Sequence, residues 1–463
     1  MRVSTMLLAS AAAITTTAAF AADLPSRKAA PVEYVRVCST MGEGYFYIPG
    51  TDTCIKIGGR ARYEYQYGEP FARNDATTGS RTTGRIYVDT RTATEYGLLR
   101  AYVRYDISRR TGQIFSGSSL RQGVAFTGTG VDYAGQAQTE VNLDRAFIQF
   151  GGLTAGRTES FFDFYAGDLE YIGTTAGSAL NNNLLAYTAT FGAGFSATLS
   201  IEDHVDRRQS IADIYPTGAY RYTGDGVPDV VGNVRVEQGW GSAQLSGAIH
   251  QVRIGNYAAI GGITPNGASP DAKYGFALNA GVTFNLPFAA GDTLTFQGTY
   301  TKGAATYIAS NPFGIGTTFG SGVGALGNLA FPDATFYDVG AGVGKLGLTT
   351  AWGLTAAGLH YWTPTIRQAL FGSYIKVDQP GGAFIAAGAG VPGNALRDFS
   401  YWTVGTNVTW SPVKDFDIGA EVDYIYLKTS NGPVFTAIAT DPVTRVFSKD
   451  SAVVGRLKIQ RDF

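Results

Sequence analysis

Along residues 55–67, IKIGGRARYEYQY, every second position is apolar or aromatic: Ile55, Ile57, Ala61, Tyr63, Tyr65 and Tyr67. Lys56, Arg60, Arg62, Glu64 and Gln66 fall between them. A period of two sends successive side chains to opposite faces of a strand, so this strand has an oily face and a charged face. The pattern recurs. Leu99, Ala101, Val103, Tyr105 and Ile107 alternate with Arg100, Tyr102, Arg104 and Asp106. Residues 195–202, 274–285 and 416–424 repeat it, and no comparable helical run stands beside them.

The connections have a rhythm of their own. Short ones lie at 95–97, 151–153, 192–194, 239–241, 286–292 and 411–417. Long segments rich in Gly, Asn and Thr lie between, at about 68–83, 108–139, 158–183, 203–229, 253–272, 302–345, 378–398 and 428–450. Alternating short and long connections predict an up-and-down barrel with brief turns on one side of a membrane and large loops on the other. The count comes to about 16 strands, with 302–365 the ambiguous stretch.

A soluble sandwich would also alternate. Composition separates the two. The 463-residue chain has 61 glycines and 13% aromatics, and only 16% of it is charged, against about 25% in soluble domains. Mean hydropathy is neutral, which excludes a bundle of membrane helices. A net charge of −1 gives no basic footprint for nucleic acid.

The N-terminus carries Arg2, then an uncharged stretch over 3–22 with Ala19-Phe20-Ala21 as a cleavage site. This predicts a signal peptide over 1–21, a lead-in segment over 22–54 and the barrel over 55–463. No other stretch of 18 or more apolar residues occurs, so a membrane form must be a closed barrel, which satisfies its backbone in lipid. Export puts Cys38 and Cys54 in an oxidising compartment, where they are expected to pair.

The chain ends VVGRLKIQRDF. Val453, Leu457, Ile459 and Phe463 share one face, and Arg456, Lys458, Gln460 and Asp462 the other. An amphipathic last strand ending in Phe463 is read as the assembly signal of an outer-membrane barrel. The Ile/Tyr face of 55–67 then meets lipid, and its charges meet a wet lumen, which a barrel of this size can hold. Burying those charges in a sandwich core would cost several kcal/mol each unless all were paired.

The passages 28–65, 91–105 and 144–164, with the terminal strand, are similar to the general diffusion porins of alphaproteobacteria, especially the rhizobial type. That resemblance implies a homotrimer of sixteen-stranded barrels with the third loop folded into each pore. It places the constriction after GRTESFFDF, with Glu159, Asp163, Asp168 and Glu170 on the loop. Lys56, Arg60, Arg62, Arg85, Arg91, Arg100 and Arg104 lie on the lumen face of the first strands. Acids facing arginines would set a transverse field across the narrows. The competing reading pairs these arginines with Glu64, Asp89, Glu95 or Asp106 on the wall, and makes Asp163 a structural tether.

No cofactor or metal is expected. GVGALG (322–327) and GVGKLG (342–347) fit a dinucleotide pattern but lack its strand–helix context. The three histidines are scattered, with no candidate nucleophile near them, so the chain is not read as an enzyme. Trp240, Trp352, Trp402 and Trp410 suit interfacial anchoring. The function expected is a passive outer-membrane channel for small hydrophilic solutes and ions. The rivals are a solute-specific channel, for instance for sugars, and a plugged barrel serving as scaffold or adhesin.

Overall fold

The computed structural model describes residues 36–69, 77–112, 138–209, 211–213, 224, 226–254, 271–309, 331–338, 344–380, 397–430, 434–438 and 441–463. The expected signal peptide lies outside them. The main sheet has 17 strands; one is the two-residue strand Phe46–Tyr47, and the other sixteen form the barrel. The first eight barrel strands are β1 (Cys54–Gly68), β2 (Thr78–Thr94), β3 (Gly97–Arg110), β4 (Gln138–Phe150), β5 (Leu153–Glu159), β6 (Asn181–Gly192), β7 (Phe195–Glu202) and β8 (Asp229–Gln238). The rest are β9 (Gly241–Val252), β10 (Lys273–Asn285), β11 (Thr293–Lys302), β12 (Thr350–Thr363), β13 (Ile366–Asp378), β14 (Phe399–Val413), β15 (Phe416–Thr429) and β16 (Lys449–Asp462). Each pairs antiparallel with the next, and β16 pairs back onto β1 from Arg60↔Asp462 to Gly68↔Val454. The barrel is therefore closed and has no free edge.

The period of two decides which way each residue faces. On β1, Ile57, Tyr63, Tyr65 and Tyr67 are exposed on the outer wall, while Glu64 and Gln66 are buried inside. Leu245 and Leu354 are 63% and 59% exposed, which fits a face wetted by lipid. Trp240, Trp352 and Trp410 are exposed as well.

The ambiguous stretch 302–365 resolves into the end of a long connection, β12, and the tight turn Pro364–Thr365 that leads to β13. Three long connections contribute to two small sheets, one of them shared between two connections. Ile211–Asp213 pairs parallel with Ala334–Asp338, which pairs antiparallel with Gly344–Leu348. Val434–Ile438 pairs with Asp441–Phe447. Residues 344–347 of the second glycine motif fall on the strand Gly344–Leu348; the rest of it and GVGALG lie outside the described residues.

At the end of the barrel bearing the C-terminus, Cys38 and Cys54 form a disulfide. It holds the lead-in segment against the pore mouth. Tyr45 donates to Asp89 at 2.7 Å, and Arg91 donates to the Met41 carbonyl at 3.0 Å. At the seam, Phe463 and Gly59 exchange backbone hydrogen bonds of 2.8 and 3.0 Å. A Cβ on Gly59 would overlap both the Phe463 ring and the Arg85 carbonyl, so the seam needs glycine there.

Candidate functional site

β5 is only seven residues long, and its pairing with β6 stops at Glu159↔Asn181. The chain between, 160–180, turns into the barrel and is bonded to inward side chains of the far wall. Asn233 donates to the Phe161 carbonyl at 2.7 Å, and Gln244 to that of Asp163 at 2.9 Å. Gln297 accepts from the Tyr165 amide at 3.0 Å. Asn407 donates to the Leu169 carbonyl at 2.7 Å, and Glu421 accepts from the amides of Tyr171 and Ile172, both at 2.7 Å. Tyr401 donates to Thr174 O at 2.8 Å, while Ser373 and Thr355 bracket Ala176 at 2.8 and 2.6 Å. Phe164 and Tyr171 rest on two bare wall positions, Gly281 and Gly419, where any Cβ would overlap them.

These partners run from β8 to β15, and Arg456 of β16 also donates to the Tyr171 carbonyl. The loop therefore lines that arc, and the arginine-bearing strands β1–β4 form the opposite one. A polar loop can be buried this way because its backbone groups find wall side chains instead of water.

The four acids expected on the loop have different surroundings. Glu159 is not on it: it is the last residue of β5, still paired with Asn181 because the ladder to β6 runs that far, and it meets Arg145 at 2.9 Å. Asp163 is buried, accepts from the Leu180 amide at 2.8 Å and pairs with Arg207 at 3.3 Å, which is the tether geometry. Glu170 accepts from the amides of Thr174 and Thr175 at 2.8 and 3.1 Å and from the Tyr165 hydroxyl at 3.3 Å. Burial pushes its carboxyl up to about 7. Asp168 is exposed; partial burial still raises its carboxyl, and the Arg145 charge pulls it back. Of the three acids on the loop itself, Asp168 is the exposed one.

The seven basic residues divide into two groups. Lys56, Arg91 and Arg100 sit at the mouth beside the lead-in segment: Lys56 donates to Glu43 O at 3.1 Å, and Arg91 and Arg100 share Asp89 at 3.1 and 2.8 Å. Arg60 and Arg62 on β1, Arg85 on β2 and Arg104 on β3 have the inward parity of their strands. Arg60 pairs with Asp462 and Arg85 with Asp106, both at 2.6 Å, and Arg104 pairs with Asp144. Arg62 donates to Gln460 at 2.8 Å. The wall pairing weighed from sequence therefore holds for Arg62 with Glu64 at 3.9 Å, for Arg85 with Asp106 and for Arg91 and Arg100 with Asp89.

A family model described as the porin subfamily matches residues 23–456. The chain belongs to this porin family. Porin Omp2b of Brucella canis is 32% identical over 306 residues, covering 59% of this chain and 77% of that protein. Porin Omp2b of Brucella neotomae is 34% identical over 252 residues, covering 52% and 64%. The outer membrane channel DcaP of Acinetobacter baumannii shares the fold, with a TM-score of 0.58 at 16% identity over 90% of this chain and 99% of that one. The porin is an outer-membrane channel.

Further residues at the porin's narrows received no role from sequence. Arg81 pairs with Glu64 at 2.6 Å, and Arg456 with Glu64 at 3.2 Å while also donating to Tyr171 O. Lys458 stands 3.6 Å above the Tyr171 ring. Their inward parity on β2 and β16 was the available signal.

A second inward segment was not foreseen. Ala304–Ala309, after β11, packs Ala305 and Ile308 with Phe331 against Ala351, Ile375 and Tyr401 of the wall. Tyr307 donates to Asp229 at 2.6 Å, beside fully buried His250 at 2.8 Å from the same carboxylate. Arg207 lies buried with its guanidinium 4.3 Å from the Tyr307 ring centre. These groups fasten the second segment to the base of loop 160–180 through Asp163 and Ser178. A buried charge such as Arg207 is stable there only because carboxylates and rings surround it.

Proposed function

We propose that this porin is a passive, water-filled diffusion path for small hydrophilic solutes and ions, and that loop 160–180 and the facing arginine wall set what passes. The observation that carries the reading is the strapping of that loop to β8–β16, opposite Arg60, Arg62, Arg85 and Arg104. Asp168 on the loop and Arg62 on the wall of β1, with Lys458 beside the loop tip, give the narrows a transverse field, which low-dielectric walls focus. Polar solutes align with such a field, whereas apolar solutes must displace ordered water without compensation. Most wall arginines are neutralised by a neighbouring carboxylate, so selectivity between small ions is expected to be modest.

In this reading the mature chain starts after residue 21 and assembles as a homotrimer in outer-membrane lipid. The support for both is the resemblance to rhizobial porins together with the N-terminal pattern. No cofactor takes part.

Planar-bilayer recording tests the proposal. A large, weakly selective, non-saturating conductance is expected. A closed barrel would replace it with the scaffold reading, and saturable block by one sugar with the specific channel. One observation bears on the sugar reading: Tyr87, Tyr102 and Phe147 line up in the lumen, 5.9 and 5.3 Å apart between centroids. They stack on one another, and Arg100 lies over Tyr102 and Phe147, so the faces a sugar would use are already covered.

A further inference from the structure

A water-filled barrel presents polar side chains inward, and Ser373, Thr403, Asn407 and Glu421 do so. Nearer the long connections the inward columns of β13–β16 turn apolar: Ile375 and Val377, Phe399 and Tyr401, Ile425 and Leu427, Ala452 and Val454. Each of these eight is at most 1% exposed. Such a face is stable only against other apolar groups. The segment Ala304–Ala309 and Phe331 supply them. Ala305 and Ile308 join the same buried cluster, and the Phe331 ring meets Phe399 edge-on, 6.1 Å between centroids.

This cover is bonded down on several sides. The Ala305 amide donates to Asp333 at 2.7 Å, the Thr306 hydroxyl to the Arg207 carbonyl at 2.5 Å and Tyr307 to Asp229 at 2.6 Å. Gly177 of the constriction loop donates its amide to the Ile308 carbonyl at 2.8 Å, which ties the segment to that loop. Its backbone groups thus find partners inside the barrel instead of water, as a permanent wall requires. The outer ends of β2–β4 are different. Arg81 and Arg110 keep 27% of their side chains exposed and Glu140 48%, in the pairs Arg81–Glu64 and Arg110–Glu140. One side of the outer lumen is packed with apolar groups, and the other is charged and wet.

We infer that Ala304–Ala309 and Phe331 form a fixed partition filling one side of the outer half of the lumen, so that solutes enter only along the β1–β4 arc. The inference rests on the diffusion-channel reading above and adds a second size-determining element to it. A solute that reaches loop 160–180 has already passed Arg81 and the Arg110–Glu140 pair, a charged strip along which entering molecules stay hydrated. Ile308 and Phe331 are the determining residues, because their side chains fill the space between the partition and the wall. Without them the apolar columns of β13–β16 would face water, and the entrance would open toward that side.

The test labels single cysteines in the full porin in lipid vesicles, with a charged thiol reagent present on both sides. The native cysteines are joined to each other and do not react. Thr83→Cys and Asn142→Cys, on the inward faces of β2 and β4, should be modified readily. Val377→Cys and Ile425→Cys should stay protected until the barrel is denatured. Adding I308N and F331S should unseat the partition: Val377→Cys then reacts, and vesicle swelling shows larger neutral solutes passing than in the wild type. Equal modification of all four cysteines in the otherwise native chain would overturn the inference. So would an unchanged size limit once Val377→Cys has become reactive. If the double variant fails to assemble, the four single cysteines decide alone. Failure of the channel reading looks different: no solute passes either protein, while the pattern of protection stays.

Discussion

Glu421→Ala tests how the constriction is held. The Glu421 carboxylate is 4% exposed and accepts three hydrogen bonds: from the Tyr171 and Ile172 amides, each at 2.7 Å, and from Asn407 at 2.8 Å. Hydrogen bonds to a charged group contribute about 1.5–3 kcal/mol each. The loop tip borders the wet lumen, so water can replace part of what is lost and the lower end applies. Two orphaned amides then cost about 3 kcal/mol, which raises the population of the unseated tip roughly a hundredfold. The remaining straps, at Tyr165, Thr174 and Ala176, keep the rest of the loop in place. Single-channel recording should therefore show rapid flicker and a higher mean conductance, with a normal yield of folded barrel. Glu421→Gln keeps one carbonyl acceptor and should fall between the two. Wild-type noise in Glu421→Ala, at normal yield, would mean that the tip is held elsewhere and that this reading of the narrows is wrong.

The other predictions are briefer. Arg62→Gln with Lys458→Gln should move the reversal potential toward cation preference; Arg100→Gln should leave it nearly unchanged, because Arg100 is bound at the mouth by Asp89. Glu170 has a folded-state value near 7, above its ordinary 4.5, so the loop's hold is strongest below pH 4.5 and weakens as pH rises toward 7. Cation preference should increase over that rise, and a flat reversal potential between pH 5 and 8 would contradict it. Cys38→Ser removes a cross-link around a loop of roughly 15 residues, about 3 kcal/mol in the chain-entropy model, and should show as easier proteolysis of the lead-in segment with the barrel intact. Deleting Phe463, or Gly59→Leu, should lower the yield of assembled barrel in outer-membrane fractions; normal yield would show that the seam tolerates both.

The strands were legible because a two-sided wall between lipid and water writes its period directly into the residues. Some partners were legible too. The tight turn at Glu95–Tyr96 fixes the β2–β3 register, and that alone puts Arg85 opposite Asp106. The missed turn at Pro364–Thr365 was hidden because Trp362 and the threonines around it blur the alternation. The loop's contacts were not legible. Glu421 and Tyr171 are 250 residues apart, and nothing local in either segment announces the other. The second inward segment, Ala304–Ala309, gave no signal for the same reason: its small apolar residues read as an ordinary loop until the wall they fill is known. For Asp163 the sequence leaves both a pore acid and a tether open, and its burial beside Arg207 decides for the tether.

Arg456 touches two things at once: Glu64 across the seam and the carbonyl of Tyr171 at the loop tip. It sits on β16, the strand that closes the cylinder onto β1. One side chain thus couples the alignment of the seam to the seating of the loop tip, so a slip of the closing strand would be felt directly in the gauge of the pore.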